Sequence, residues 1–176
     1  MSETSVEPRP TPAATWQGAV TGIYIAQVGA APIDSHDQIE AVAGQGLRGD
    51  RYFEAKGTYS DTPGTGRQIT LIEQEAVEAA AHDYGISLEP GQARRNIMTV
   101  GVALNHLVGK EFLVGEVRLR GMRLCEPCAH LASLSKRGVV KALTHRGGLR
   151  ADILVGGMIH VGDPIRPAQE SRASGR

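Results

Sequence analysis

This sequence predicts a mainly β fold: a closed or half-closed barrel with a few helices at its edges. Three observations lead there. Short runs rich in β-branched and aromatic residues, or alternating apolar with polar, recur along the chain. Glycine reaches 22 of 176 residues, which implies many tight turns. Strands and helices do not alternate regularly, so a stacked parallel sheet is not expected. The length suits one domain with a sizeable core, and there is no internal repeat.

In chain order, residues 1–17 form an expected disordered tail, rich in Ser, Thr, Pro and Glu over 1–15. Residues 18–166 form the barrel domain, and 167–176 a flexible tail. Val20, Ile23, Tyr24, Ile25 and Val28 mark a first strand. A further strand is expected within 33–43, followed by a charged Gly-rich loop over 44–52 and a polar, mobile loop over 58–66. Thr70 with Glu73 has the spacing of a capping box, which predicts the longest helix over 70–84. Leu71, Ile72, Ala76, Ala79 and Ala80 give that helix an apolar face, and Gly85 ends it. The segment 94–100 is a basic lead-in to a short strand, and 104–108 a single helical turn. Runs at 112–114 and 117–124 flank Gly115-Glu116 and predict a hairpin. A short helix follows over 139–145. A second hairpin is expected from 151–155 and 158–161 around Gly156-Gly157, and Gly162-Asp163-Pro164 closes the domain.

Charge narrows the function. Nineteen basic residues balance nineteen acidic ones, and aromatics are 4%. That argues against a broad nucleic-acid surface. No apolar run approaches the roughly 18 residues that span a bilayer, and the N-terminus lacks a signal-peptide stretch. No membrane association is expected. Two cysteines make no disulfide scaffold, so a reduced, cytoplasmic setting is expected.

Both cysteines lie in Arg123-Leu124-Cys125-Glu126-Pro127-Cys128-Ala129-His130-Leu131, after an alternating run and before a predicted helical turn. The spacing admits a dithiol redox pair, half of a metal site, or one working thiolate with a companion. A structural zinc site needs about four ligands. Cys125, Cys128, His130 and His145 would supply them only with irregular spacing. A thioredoxin-like dithiol would need βαβ surroundings that are missing. Pro127 and the strand-to-helix junction favour an exposed Cys128, and helix amides with Arg123 or His130 nearby favour its thiolate over that of Cys125. Arg67, Arg94, Arg95, Arg146 and Arg150 lie in separate loops beside glycines or strand ends. Brought together they would make an anion pocket, with amides of the Gly147-Gly148 turn as further donors. Asp50 and Arg51 are expected to form a structural ion pair. His130 and His145 are candidates for support or proton transfer.

Eight motifs occur in a familiar order: Gly46-Leu47-Arg48-Gly49-Asp50-Arg51, Arg67-Gln68-Ile69-Thr70-Leu71-Ile72, Arg94-Arg95-Asn96-Ile97, Leu107-Val108-Gly109, Gly115-Glu116-Val117, the cysteine stretch, Gly147-Gly148-Leu149-Arg150-Ala151 and Gly162-Asp163. Together they resemble the MOSC domain, named after the C-terminal domain of molybdenum-cofactor sulfurases, in its short stand-alone bacterial form. The resemblance implies a twisted β-barrel that binds a molybdenum cofactor (molybdopterin) or carries sulfur on a cysteine. It implies Cys128 as metal ligand and catalytic sulfur, with Arg94 and Asn96 holding the pterin. Arg67, Arg146, Gly147 and Arg150 are expected beside them, with Cys125, His130 and His145 in support. Thr and Asp residues that follow the cysteine in longer reductases of the family are missing after Cys128. The implied activity is reduction of small N-hydroxylated or N-oxide compounds. Electrons would come from a separate flavin or iron–sulfur partner, since the chain has no motif for either. The alternative is a metal-free carrier holding a persulfide on Cys128, supplied by a cysteine desulfurase-like donor.

Overall fold

A computed structural model of the chain describes residues 14–62 and 64–168. The expected tails fall outside these residues except at their inner ends, where Trp16 packs against the barrel core. The elements are β1 (Gly18–Ile25), β2 (Asp34–His36), β3 (Gln38–Val42), β4 (Gly46–Leu47), β5 (Ile69–Glu73), α1 (Gln74–Tyr84), β6 (Ile97–Val100), a 3-10 turn (Leu104–Leu107), β7 (Glu111–Val114), β8 (Val117–Leu124), α2 (Ala129–Leu134), α3 (Val139–Leu143), β9 (Leu149–Val155), β10 (Gly157–His160) and β11 (Pro164–Pro167).

Seven strands close the barrel in the order β11-β7-β8-β9-β5-β6-β1, and β1 returns to β11 through Gly18↔Ile165 and Ala19↔Pro164. β5 and β6 run parallel and the other barrel ladders are antiparallel. β2 extends the far end of β1, and β10-β3-β4 form a separate small sheet. Alternation decides what faces inward. On β8, Val117, Leu119 and Gly121 are buried, whereas Arg118 and Arg120 are not. Phe112, Leu119, Leu71, Ile97, Leu149 and Ile165 fill the interior, each contributing about 1.5–3 kcal/mol by leaving water. A second cluster of Ile72, Ala80, Leu131, Val139 and Leu143 packs the helices onto the outside. Among the described residues no helix is long and apolar enough to cross a membrane.

Three expectations need correction. The longest helix begins at Gln74, not at 70, and Thr70 lies in β5 opposite Arg150. Ile69, Leu71 and Ile72 are buried between two neighbouring strands, and that pairing outweighs the local capping signal. Glu73 sits at the N-cap without a side-chain cap bond; its carboxylate accepts the Leu104 amide at 2.7 Å. Gly85 does end the helix, in the left-handed conformation at φ 67°. Second, Gly156-Gly157 makes no hairpin, because β10 pairs with β3 through Ile159↔Ile39. A Cβ at Gly156 would lie 2.5 Å from the Ala41 carbonyl oxygen, so the bare backbone is what lets the chain cross onto β3. Third, the stretch 33–43 forms two strands, one joined to the barrel and one in the small sheet. The hairpin around Gly115-Glu116, the short helix after 138 and the Asp50–Arg51 pair at 3.2 Å are as expected.

Candidate functional site

The cysteine stretch lies at one end of the β8–β9 ladder. The ladder ends at Leu124↔Leu149, and the Cys125 amide continues it by donating to Gly148 O at 2.7 Å. Cys125 is therefore fixed by the sheet and is 1% exposed. The double glycine serves this contact. A Cβ at Gly147 would sit 2.5 Å from Cys125 O, and one at Gly148, already at φ 108°, would sit 2.0 Å from Leu71 O. Gly147 is buried packing, and its carbonyl is an acceptor for Arg95.

Arg95, buried at 8% exposure, clamps the stretch from below. It donates to Gly147 O at 2.8 Å, Cys125 O at 2.9 Å and Ala93 O at 3.1 Å. Above this clamp Cys128 is exposed. It is the extended residue before α2, and its carbonyl accepts the Ala132 amide at 3.1 Å.

The 58–66 loop brings Tyr59 over the sulfur. Burial raises the Tyr59 hydroxyl above the ordinary phenol value; the neighbouring Cys128 and Tyr52 groups and a hydrogen bond with Cys128 add to this, and Arg150 opposes it. The phenol therefore keeps its proton at neutral pH. His130 packs edge-on against the Tyr59 ring, with centroids 6.1 Å apart, and its Nε2 lies 3.3 Å from Thr58 Oγ1. Arg67 donates from Nη1 to the Tyr59 carbonyl.

The expected arginines separate into distinct places. Arg67 and Arg150 lie beside Tyr59. Arg123 joins them from β8: burial lowers its pKa, and the charges of Arg150 and Arg67 lower it further against an opposing pull from Cys125. Arg94, at φ 56°, donates to Ala31 O at 3.0 Å. It borders a cavity of about 230 Å³ lined also by Pro32, Ile33, Gly91 and Leu134, the last on the helix that Cys128 precedes. Burial, with the nearby charge of Arg51, lowers its pKa. Arg146 lies instead against α1, donating to Asp83 at 3.2 Å and standing over the Tyr84 ring. His145 is exposed beside Glu126 at 3.4 Å.

Asn96 is buried and spent on the fold. Its Oδ1 accepts from the Thr70 amide at 3.0 Å and the Thr70 hydroxyl at 2.9 Å, and its Nδ2 donates to Tyr24 O at 3.2 Å and Asp50 Oδ1 at 3.4 Å. Sequence reasoning assigned Asn96 to a ligand, offered Arg95 for an anion pocket rather than as a clamp, named Arg123 only as a charge near the thiol, and left Tyr59 out. Strict alternation along β8 would turn Arg123 inward with Gly121, and the register shift between them exposes it instead; Tyr59 had no signal, because its loop carries no periodic pattern.

Among the described residues no group of three or more His, Cys, Asp or Glu converges as a metal site. A protein-only zinc site from Cys125, Cys128, His130 and His145 is not formed there. The chemistry on offer is one exposed, polarisable sulfur, a protonated phenol and a set of guanidinium groups.

A seven-stranded barrel with one exposed cysteine at the mouth of a strand pair is the class these features define. The MOSC domain model matches residues 58–166, and the chain belongs to that family. No curated protein matches it. Among solved structures, the YuaD protein from Bacillus subtilis is similar at 20% identity and a TM-score of 0.68, covering 88% of this chain and 100% of that one. YiiM from Geobacillus stearothermophilus is similar at 15% identity and TM-score 0.64, over 89% and 77%. YiiM from Escherichia coli follows at 16% identity and TM-score 0.61, over 89% and 71%. At these identities the likeness is one of fold.

Proposed function

We propose that this protein binds a molybdenum cofactor through the Cys128 thiolate and reduces small N-hydroxylated or N-oxide compounds in the cytoplasm, taking electrons from a separate flavin or iron–sulfur protein. The observation that carries this reading is the exposed Cys128 sulfur beside a proton-bearing Tyr59, which in turn has Arg67 and Arg150 beside it. A soft thiolate suits a high-valent metal, and a guanidinium such as that of Arg94 suits an electron-rich, hydrogen-bonding ligand such as the pterin. The residues present fit the group: Cys128 would hold the metal, and Arg94 would hold part of the pterin from its half-buried place beside α2. When bound, the cofactor supplies the two-electron redox centre. Tyr59 holds a proton beside the sulfur for the reduced oxygen, Arg95 keeps the cysteine stretch in place, and Asn96 fixes β5 to the strand entry beside Arg94. The purified protein should reduce an N-oxide with a dithionite-reduced viologen dye, and Cys128→Ser should not. Turnover by Cys128→Ser would defeat the reading.

A metal-free persulfide carrier is the second reading. It is favoured by the burial of Cys125, which withholds the neighbouring thiol that would otherwise resolve a persulfide on Cys128. Incubation with a cysteine desulfurase and cysteine, read by intact mass, should then add one sulfur atom to the wild type and none to Cys128→Ser.

A further inference from the structure

Several arginines among the described residues have their charge answered. Arg48 has Glu40, Arg51 has Asp50, Arg118 and Arg120 share Glu111, and Arg146 has Asp83. Arg95 has its carbonyls and Arg94 has Ala31 O. Arg67, Arg123 and Arg150 form no ion pair with a carboxylate among the described residues, nor do Arg137 and Arg166; what sets the three apart is that they cluster.

The fold forces these three together. Arg123 and Arg150 are direct partners across the β8–β9 ladder, beside a register shift between Gly121 and Arg123. Leu149 and Ala151 on either side of Arg150 are buried, so Arg150 faces outward from the barrel, and Arg123 opposite it is exposed. Like charges directly opposite in a sheet are unfavourable. Gly66 lies flat on Arg150 and on Met122, the residue before Arg123: a Cβ there would be 3.0 Å from Arg150 Cβ and 3.1 Å from Met122 Cβ. The Gly66 amide donates to Asp152 Oδ1 at 2.7 Å, so the nearest acid on β9 is spent on holding the loop. Arg67 follows Gly66 and is tethered to the Tyr59 carbonyl.

We propose that Arg67, Arg123 and Arg150 form a shelf for a dianionic tetrahedral oxyanion, a phosphate carried by the substrate, whose remainder lies against Tyr59 and Cys128. Three fixed positive charges without a carboxylate match a dianion better than a monocarboxylate. Planar guanidinium groups bind phosphate oxygens in pairs. Arg150 acts on Tyr59, and Tyr59 on Cys128, so the shelf and the sulfur are one side chain apart. That span suits a small molecule's own phosphate. The assignment to the substrate rests on Cys128 being the reactive sulfur; the anion shelf does not.

The test has two parts. Inorganic phosphate titrated calorimetrically into the metal-free protein at low salt should bind saturably. Arg123→Gln and Arg150→Gln should each weaken it about tenfold to a hundredfold. Arg120→Gln, on the same strand but paired with Glu111, should leave it unchanged, and circular dichroism should show all three variants folded. Absence of saturable binding, or equal binding by folded Arg123→Gln, overturns the shelf. In the second part, 2-bromoethyl phosphate should alkylate Cys128 faster than 2-bromoethanol does, the thiolate displacing bromide, and Arg150→Gln should erase that advantage. No advantage in the wild type overturns the placement beside the sulfur. The same phosphate could instead belong to the cofactor. Phosphate binding that persists in molybdenum-loaded protein assigns the shelf to the substrate, and binding lost on loading overturns that assignment. Protein that takes up no molybdenum removes the cofactor as a source and refutes the reductase reading alone.

Discussion

The Arg95 guanidinium donates to the Cys125 carbonyl at 2.9 Å from a position 8% exposed to solvent. It ties the sulfur-bearing stretch, the glycine turn before β9 and its own chain segment to a single cation. Hydrogen bonds from a charged donor contribute about 1.5–3 kcal/mol each, and their loss leaves buried acceptors unmet. Arg95→Met should therefore cost about 3–5 kcal/mol in urea unfolding. Arg95→Lys should recover little, because one ammonium cannot reproduce the planar fork. A loss below about 1 kcal/mol would remove the clamp from this account.

Asn96 gives a contrasting test. All of its side-chain capacity is used within the fold, on Thr70, Tyr24 and Asp50. Asn96→Ala should cost about 2–4 kcal/mol, with unmet partners left behind. Asn96→Asp should be worse at neutral pH than at acid pH, since a second carboxylate would face Asp50. Unfolding curves with wild-type stability for Asn96→Ala would contradict the structural role.

Much of this was legible in the sequence, and the exceptions share a cause. The β7–β8 hairpin, Gly85 as helix end and Cys128 as the exposed sulfur all follow from local patterns. The start of α1 did not, because Thr70 and Glu73 carry a cap signal while Ile69, Leu71 and Ile72 are claimed by strands far away in sequence. The bonds of Asn96 were hidden for the same reason: its partners lie 26, 46 and 72 residues away in sequence. Arg146 looked equivalent to Arg150 in the chain, but Asp83 at the end of α1 takes it away from the site. What a residue type offers can be read locally; where it is spent depends on long-range pairing.

Burial raises the Glu73 carboxyl above its ordinary value; the Leu104 amide opposes this, Glu75 adds to it and His106 opposes it. An acid whose folded pKa is raised contributes stability that is full below its unfolded pKa and is lost as pH rises through the folded one. Glu73→Gln keeps an acceptor for Leu104, so its stability relative to the wild type should improve as pH climbs through that range. Chemical denaturation at a series of pH values would show it; a difference that is flat with pH would contradict the assignment.

The two cysteines should behave as separate species. Iodoacetamide on the folded, cofactor-free protein should label Cys128 and spare Cys125, which is 1% exposed and tied to Gly148 O. Peptide mass mapping before and after unfolding would read this. Equal labelling in the folded state would mean that the sheet does not hold Cys125 as described.

Arg123 and Arg150 set binding against stability. In phosphate-free buffer, Arg123→Gln should stabilise the protein by about 0.2–1 kcal/mol, because it removes a directly opposed like charge. Added phosphate should narrow or reverse the difference. Destabilisation of Arg123→Gln in phosphate-free buffer would show that the pair is already compensated.

Elemental analysis tests the central claim most directly. The protein, purified from cells that make the molybdenum cofactor, should carry molybdenum with matching phosphorus, and Cys128→Ser prepared in parallel should carry neither. A wild type free of molybdenum, or a Cys128→Ser variant loaded as fully as the wild type, would contradict the account.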